Sequence, residues 1–162
     1  STLKLDGSEG EVRYEKLGKL DLPILSVLTV TGKCPKSPGK LVADTKALAV
    51  THLTGGEWCD NPKGIAAYDT LISFVRERLS TDTLWNLEYY LGTFAALRYY
   101  AAKFFEKYDE DELAGLYKNI YDCWSKAFGL VSSGLEARDE IAALLENAKA
   151  YEISALKAME EN

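Results

Sequence analysis

Beyond residue 61 the apolar positions fall at three- and four-residue spacing, the signature of one buried face on an α-helix. Asn61 is a good helix cap and Pro62 suits a first helical position. Ile65, Tyr68, Ile72, Val75 and Leu79 then line a first stripe. Ser80-Thr81-Asp82 interrupts it and caps a second, longer stripe of Leu84, Leu87, Leu91, Phe94, Ala101, Phe105 and Tyr108. Asp109 and Glu112 have the spacing of a capping box for a third helix, with Leu113, Leu116, Ile120, Trp124 (or Cys123) and Phe128 inward. Ser133 and Glu136 repeat that spacing before a fourth, with Ile141, Leu145, Ala148, Ala155 and Met159. Links this short make successive helices antiparallel. The pattern predicts a mainly α protein, an antiparallel four-helix bundle over about residues 61–160 in up-down-up-down order.

The first forty residues read differently. Leu3-Lys4-Leu5 and Val12-Arg13-Tyr14-Glu15 alternate, and Leu22 to Val30 is β-branched and apolar with no helical stripe. Pro23 has no amide to donate, so that strand starts there or lies on an edge. Such a run has too few neighbours for an independent sheet. Residues 1–40 are therefore expected to be an extended or β segment packing on the bundle or on a partner, closing with a turn-rich loop over 31–40. A short helix is predicted over 41–53, ended by Gly55 and Gly56. With 162 residues, one domain is expected, and a chain of that size buries roughly 70% of its unfolded surface.

The second bundle helix is too apolar for its place. Between Leu84 and Phe105 only Glu88, Arg98 and Lys103 are charged, while Trp85, Tyr89, Tyr90, Tyr99 and Tyr100 lie around the seam rather than on it. A helix apolar on most sides is central to its fold or covered by something else. The cover is the N-terminal segment with the short helix, or another protein chain, or else the extra face lines an apolar ligand cavity. Tyr and Trp pair an apolar body with a polar tip and are enriched where partners meet, so these five aromatics are the candidate interface.

Arg98 interrupts the same seam between Phe94 and Ala101, and Glu152 stands between Ala148 and Ala155 on the fourth helix. An unpaired buried charge is very costly, so Arg98 must reach solvent or a carboxylate, with Glu152 the first choice and Glu88 nearby. The pair is either a structural brace or the polar end of a pocket lined by Tyr90, Phe94, Arg98, Tyr121 and Glu152.

Composition narrows the chemistry. The chain is 47% hydrophobic and 27% charged, as globular proteins are. Residues 1–60 hold eight basic and eight acidic side chains, so the net charge of −6 belongs to the bundle. An acidic bundle is a poor phosphate binder. Only Lys33, Lys36 and Lys40 form a basic loop suited to nucleic acid or an acidic partner, and no aromatics are interleaved there to stack on bases. Cys34, Cys59 and Cys123 with the single His52 fall short of a zinc site. No Glu-x-x-His motif supports a di-iron bundle. Gly55-Gly56 lacks the Gly-Lys-Ser/Thr ending of a phosphate loop, and His52 and Cys59 are separated by a turn in which Trp58 reads as a plug for the bundle end. No catalytic set, metal or cofactor is expected.

The long apolar stretch is broken by charge and crowded with tyrosines, so no membrane span is expected. The Leu3-Lys4-Leu5-Asp6 start does not resemble a signal peptide, which points to an intracellular, cytoplasmic protein with reduced thiols, a Cys34–Cys59 disulfide being the alternative. The absence of glutamine, with one methionine and one histidine against abundant Lys and Glu, follows a thermophile tendency. The functional expectation is a non-catalytic structural or assembly subunit acting through protein–protein contacts, with itself or within a larger nucleoprotein or coat assembly. The alternative is a ligand-binding or enzymatic bundle with an aromatic Arg–Glu pocket.

Overall fold

The computed structural model describes residues 2–3, 9–10, 32, 35–55 and 62–161. The chain divides into two compact units, Ser1–Pro35 and Lys36–Asn162. In the first, β1 (Thr2–Leu3) pairs antiparallel with β2 (Glu9–Gly10), Thr2 opposite Gly10 and Leu3 opposite Glu9. The strand expected at 22–30 lies outside the described residues, as do Lys33, Cys34, Trp58, Cys59 and Asn61.

Among its described residues the second unit contains five α-helices: α1 (Pro38–Leu53), α2 (Ile65–Glu77), α3 (Leu84–Lys107), α4 (Asp111–Leu130) and α5 (Arg138–Glu160). The last four form the expected antiparallel bundle. α1 starts three residues before the predicted boundary, because Ser37 accepts the Lys40 amide at 3.3 Å and Pro38 takes the first turn, where a missing N–H costs nothing. Lys40 is therefore helical and not part of the loop.

Other boundaries move for equally local reasons. α2 begins at Ile65, not Pro62, after Gly64 at φ +57°. Gly64 runs so close to the end of α1 that a Cβ there would overlap the carbonyl oxygens of Leu53 and His52. The Ser80 turn behaves as expected: the Ser80 amide donates to Thr83 Oγ1 at 3.0 Å, and Ser80 and Thr83 form a capping box. The predicted Asp109/Glu112 box does not form. Asp109 takes φ +58° and closes α3 instead, with the Glu110 amide donating to Phe105 O at 3.0 Å and the Asp109 amide to Glu106 O at 3.3 Å. These are the two bonds of a Schellman motif, with Asp where glycine usually stands. Ser133 and Glu136 form no box either, since Val131–Ala137 is a 3-10 stretch and α5 opens after Ala137.

Packing follows side-chain size. α4 lies between α3 and α5, and α5 also packs on α2 and α1, so α5 holds the central position. Its buried stripe of Ile141, Ala142, Leu145, Ala148, Glu152, Ala155, Ala158 and Met159 is rich in alanine, which lets three neighbours approach. Leu91, Ile120, Ile141 and Leu145 are fully buried, each contributing about 1.5–3 kcal/mol by removal from water. α1 packs on α5, with Ala49, Val50 and Leu53 against the core, and Lys46 joins Glu110 across 2.8 Å. The short helix therefore does not cover α3.

Candidate functional site

Two features of the second unit are not explained by core formation: a polar cluster inside the bundle and an aromatic face outside it.

The cluster takes one side chain from each bundle helix. Tyr68 comes from α2, Arg98 from α3, Trp124 from α4 and Glu152 from α5. Trp124 Nε1–H donates to Tyr68 Oη at 2.9 Å, and Tyr68 O–H donates to Glu152 Oε1 at 3.2 Å. Arg98 donates to the same oxygen from Nε at 2.8 Å and from Nη2 at 2.6 Å. The guanidinium carbon stands 5.5 Å from the Phe94 ring centre and 5.8 Å from that of Trp124, close enough for cation–π attraction. Glu152 is 1% exposed; Oε1 thus accepts three bonds while Oε2 has none.

The electrostatics are those of a closed ion pair. Burial pulls the Arg98 guanidinium down, but attraction to Glu152 and the hydrogen bonds between them outweigh it and leave the net shift upward. Burial pushes the Tyr68 phenol well above its usual range, and the Glu152 charge adds to the push. Tyr117 is raised by the same two causes. A phenol held protonated this firmly is a poor general base. The cluster has a hydrogen-bond chain and a neutralised charge, but its carboxylate is closed to solvent and its guanidinium is already engaged.

The structure brings together part of the predicted pocket. Arg98, Glu152 and Phe94 meet. Tyr90 stacks on Phe94 at 6.4 Å from the outside and is exposed, and Glu88 is also exposed. Tyr121 is not in the cluster: it packs on Tyr99 at 5.4 Å, in the groove between α3 and α4. Tyr68 and Trp124 complete the cluster, although the seam reading gave them only core roles. The available signal was chemical, since a buried Tyr or Trp tip requires a hydrogen-bond partner.

The outer face of α3 carries the other feature. Trp85 is 67% exposed, Tyr89 66% and Tyr100 68%, and Tyr90, Leu97 and Tyr99 are exposed as well. Residues 85, 89, 93, 96 and 100 follow helical spacing, so Trp85, Tyr89, Thr93, Ala96 and Tyr100 form one stripe about 22 Å long. Beside it runs an open groove of about 420 Å³, floored by Gly92, Ala95 and Ala96 and walled by Tyr99, Tyr121 and Phe128. A Cβ on Gly92 would stand 3.1 Å from the Phe128 ring, so glycine lets that ring lie against α3. Trp85, Tyr89 and Tyr100 on one stripe, with Tyr99 and Phe128 beside it, expose more aromatic surface together than the singly scattered apolar side chains normal to a monomer.

Other candidates are weaker. The basic loop is reduced at its described positions: Lys36 and Lys40 both meet Asp44, at 2.7 and 2.6 Å, and hydrogen bonds from Lys36 and Lys40 hold the Asp44 carboxyl below its ordinary value. A cleft of about 350 Å³ between α2 and α5 is bridged by Lys149–Asp69 at 2.6 Å and Arg76–Glu146 at 2.9 Å. Cys123 is a half-buried thiol pushed up by burial, away from the reactive range. Among the described residues no three His, Cys, Asp or Glu side chains gather to hold a metal, and no helix is long and apolar enough to cross a membrane. The fold and its two features define a helical-bundle protein with an internal ion-pair brace and an unusually aromatic outer helix. Comparison with protein-family models, curated proteins and solved structures finds no match for the chain.

Proposed function

We propose that this protein is a non-catalytic assembly subunit that works through protein–protein contacts made by the outer face of α3. The observation that carries this reading is the stripe of Trp85, Tyr89 and Tyr100, each about two-thirds exposed, beside an apolar groove on a helix that α1 leaves uncovered. Large amphipathic rings are costly in water and effective as interface anchors. The alternative pocket draws less support, because Arg98 and Glu152 satisfy each other and Tyr121 belongs to the outer groove.

A photo-crosslinking amino acid placed at Tyr89, with a control at exposed Lys118 on α4, tests the reading in cells expressing the full chain. Crosslinks to protein at 89 and not at 118 are expected. Equal yields at the two positions, or none at 89, would remove α3 as the working surface.

A further inference from the structure

The occupant of the α3 face is a second copy of this chain: we infer that two copies pair through α3 in antiparallel fashion about a two-fold axis passing between Gly92 and Thr93. This deepens the assembly reading and rests on it.

The stripe is self-complementary about that point. A two-fold interface requires that if residue i meets j′, then j meets i′. With the axis between 92 and 93, Trp85 of one copy opposes Tyr100 of the other, and Tyr89 opposes Ala96. Ala96 lies on the floor of the apolar groove, so each Tyr89 ring is aimed at the partner's groove. The axis itself falls between Gly92 and Thr93, whose small side chains let two backbones approach, while Tyr89 and Ala96 stand at equal distances on either side.

Charge agrees with the antiparallel sense. Asp82, in the turn just before α3, comes to face Lys103 near the other end of the partner's helix. Lys103 already meets Glu106 within its own helix at 2.6 Å, so Asp82 adds a second carboxylate to an exposed ammonium. A parallel arrangement would instead bring Lys103 to Lys103 and Asp82 to Asp82. Between these ends the stripe itself carries no charged side chain.

The area is of the right order. At about 200 Å² per aromatic side chain, the exposed fractions of Trp85, Tyr89, Tyr99, Tyr100 and Phe128 amount to roughly 600 Å² per copy. Specific interfaces bury about 800 Å² per partner, and the small central residues with the helix ends supply the remainder.

Light scattering coupled to size exclusion on the full chain, over a hundredfold range of concentration, reads the pairing. Twice the 18.0 kDa chain mass is expected. Thr93→Cys should give a disulfide-linked dimer under mild oxidation, above the background of the wild-type cysteines and of a Ser132→Cys control. Tyr89→Asp should weaken association at least a hundredfold while leaving the helical circular dichroism and melting curve in place. A dimer that neither crosslinks through position 93 nor responds to Tyr89→Asp overturns the inference, since it uses another face.

A monomer also overturns it, and acrylamide quenching of Trp85, taken as the difference from Trp85→Phe, then separates two cases. An open Trp85 leaves the assembly reading standing with a different protein as occupant. A shielded Trp85 removes both, because the chain then covers its own stripe.

Discussion

Replacing Arg98 by methionine removes the only cation from the polar cluster while keeping most of the side chain's volume. Glu152 is then left almost wholly buried, with Tyr68 as its one remaining donor. Breaking a buried pair from one side costs about 3–5 kcal/mol, far more than the pair is worth against apolar replacements. For a chain of 162 residues that is a loss of about 10–15 °C in melting temperature. Glu152→Met leaves Arg98 unpaired instead, but its side chain is 19% exposed and can shift toward the rim, so about 2–3 kcal/mol is expected. The double variant Arg98→Met with Glu152→Met buries no charge and should return to within about 1 kcal/mol of wild type. Urea melts of all four proteins give the cycle, with a coupling of about 3 kcal/mol or more. If Arg98→Met costs under about 1 kcal/mol, or if the single losses simply add, the pair is not a buried brace and the electrostatic argument fails.

Gly64→Ala should cost more than Gly134→Ala. Both glycines have positive φ, worth about 1–3 kcal/mol of strain, but only at position 64 would the new Cβ also overlap backbone, and thermal melts of the pair will show the difference. Asp109→Gly should stabilise the protein by about 0.5–1 kcal/mol by removing left-handed strain from the Schellman turn, seen as a higher urea midpoint. Tyr68 and Tyr117 have folded pKa values raised above the ordinary 10.0, so the stability they contribute is complete below pH 10 and lost as pH rises beyond it. Alkaline melts should therefore steepen above pH 10 in wild type and flatten in a Tyr68→Phe, Tyr117→Phe variant.

The bundle was legible because its evidence is periodic. Stripes such as Ile65-Tyr68-Ile72-Val75 and Ile141-Leu145-Ala148 each bury one face, and no tertiary knowledge is needed to see it. The Arg98–Glu152 contact was legible for a different reason: each residue interrupts an apolar seam, and the cost of an unpaired buried charge leaves few partners. Cap assignment failed where two helices compete for the same residues. Asp109 has the chemistry to start α4, but the orphan carbonyls at the end of α3 claim that turn first. Pro62 misled in the same way, because the chain must first clear the α1 terminus at Gly64 before it can coil. The position of α1 was not readable at all. Its weak stripe fits either α3 or α5, and the alanines that favour α5 act only once the helices are assembled.

A cluster drawing one group from each of four helices also has a combinatorial consequence. Apolar seams of leucine and alanine are nearly interchangeable, so a bundle built from them alone has many packings of similar energy. Sliding α5 by one turn, about 5.4 Å, would bring Ala148 or Leu156 to Arg98 and strand Glu152 among hydrocarbon. Rotating α2 about its own axis would carry the Tyr68 hydroxyl away from both the Trp124 indole and the Glu152 carboxylate it binds. Each wrong assembly forfeits several bonds at once, while the correct one satisfies them together. The four residues thus act like the notches of a key, and the arrangement they admit is the one that turns the aromatic side of α3 outward.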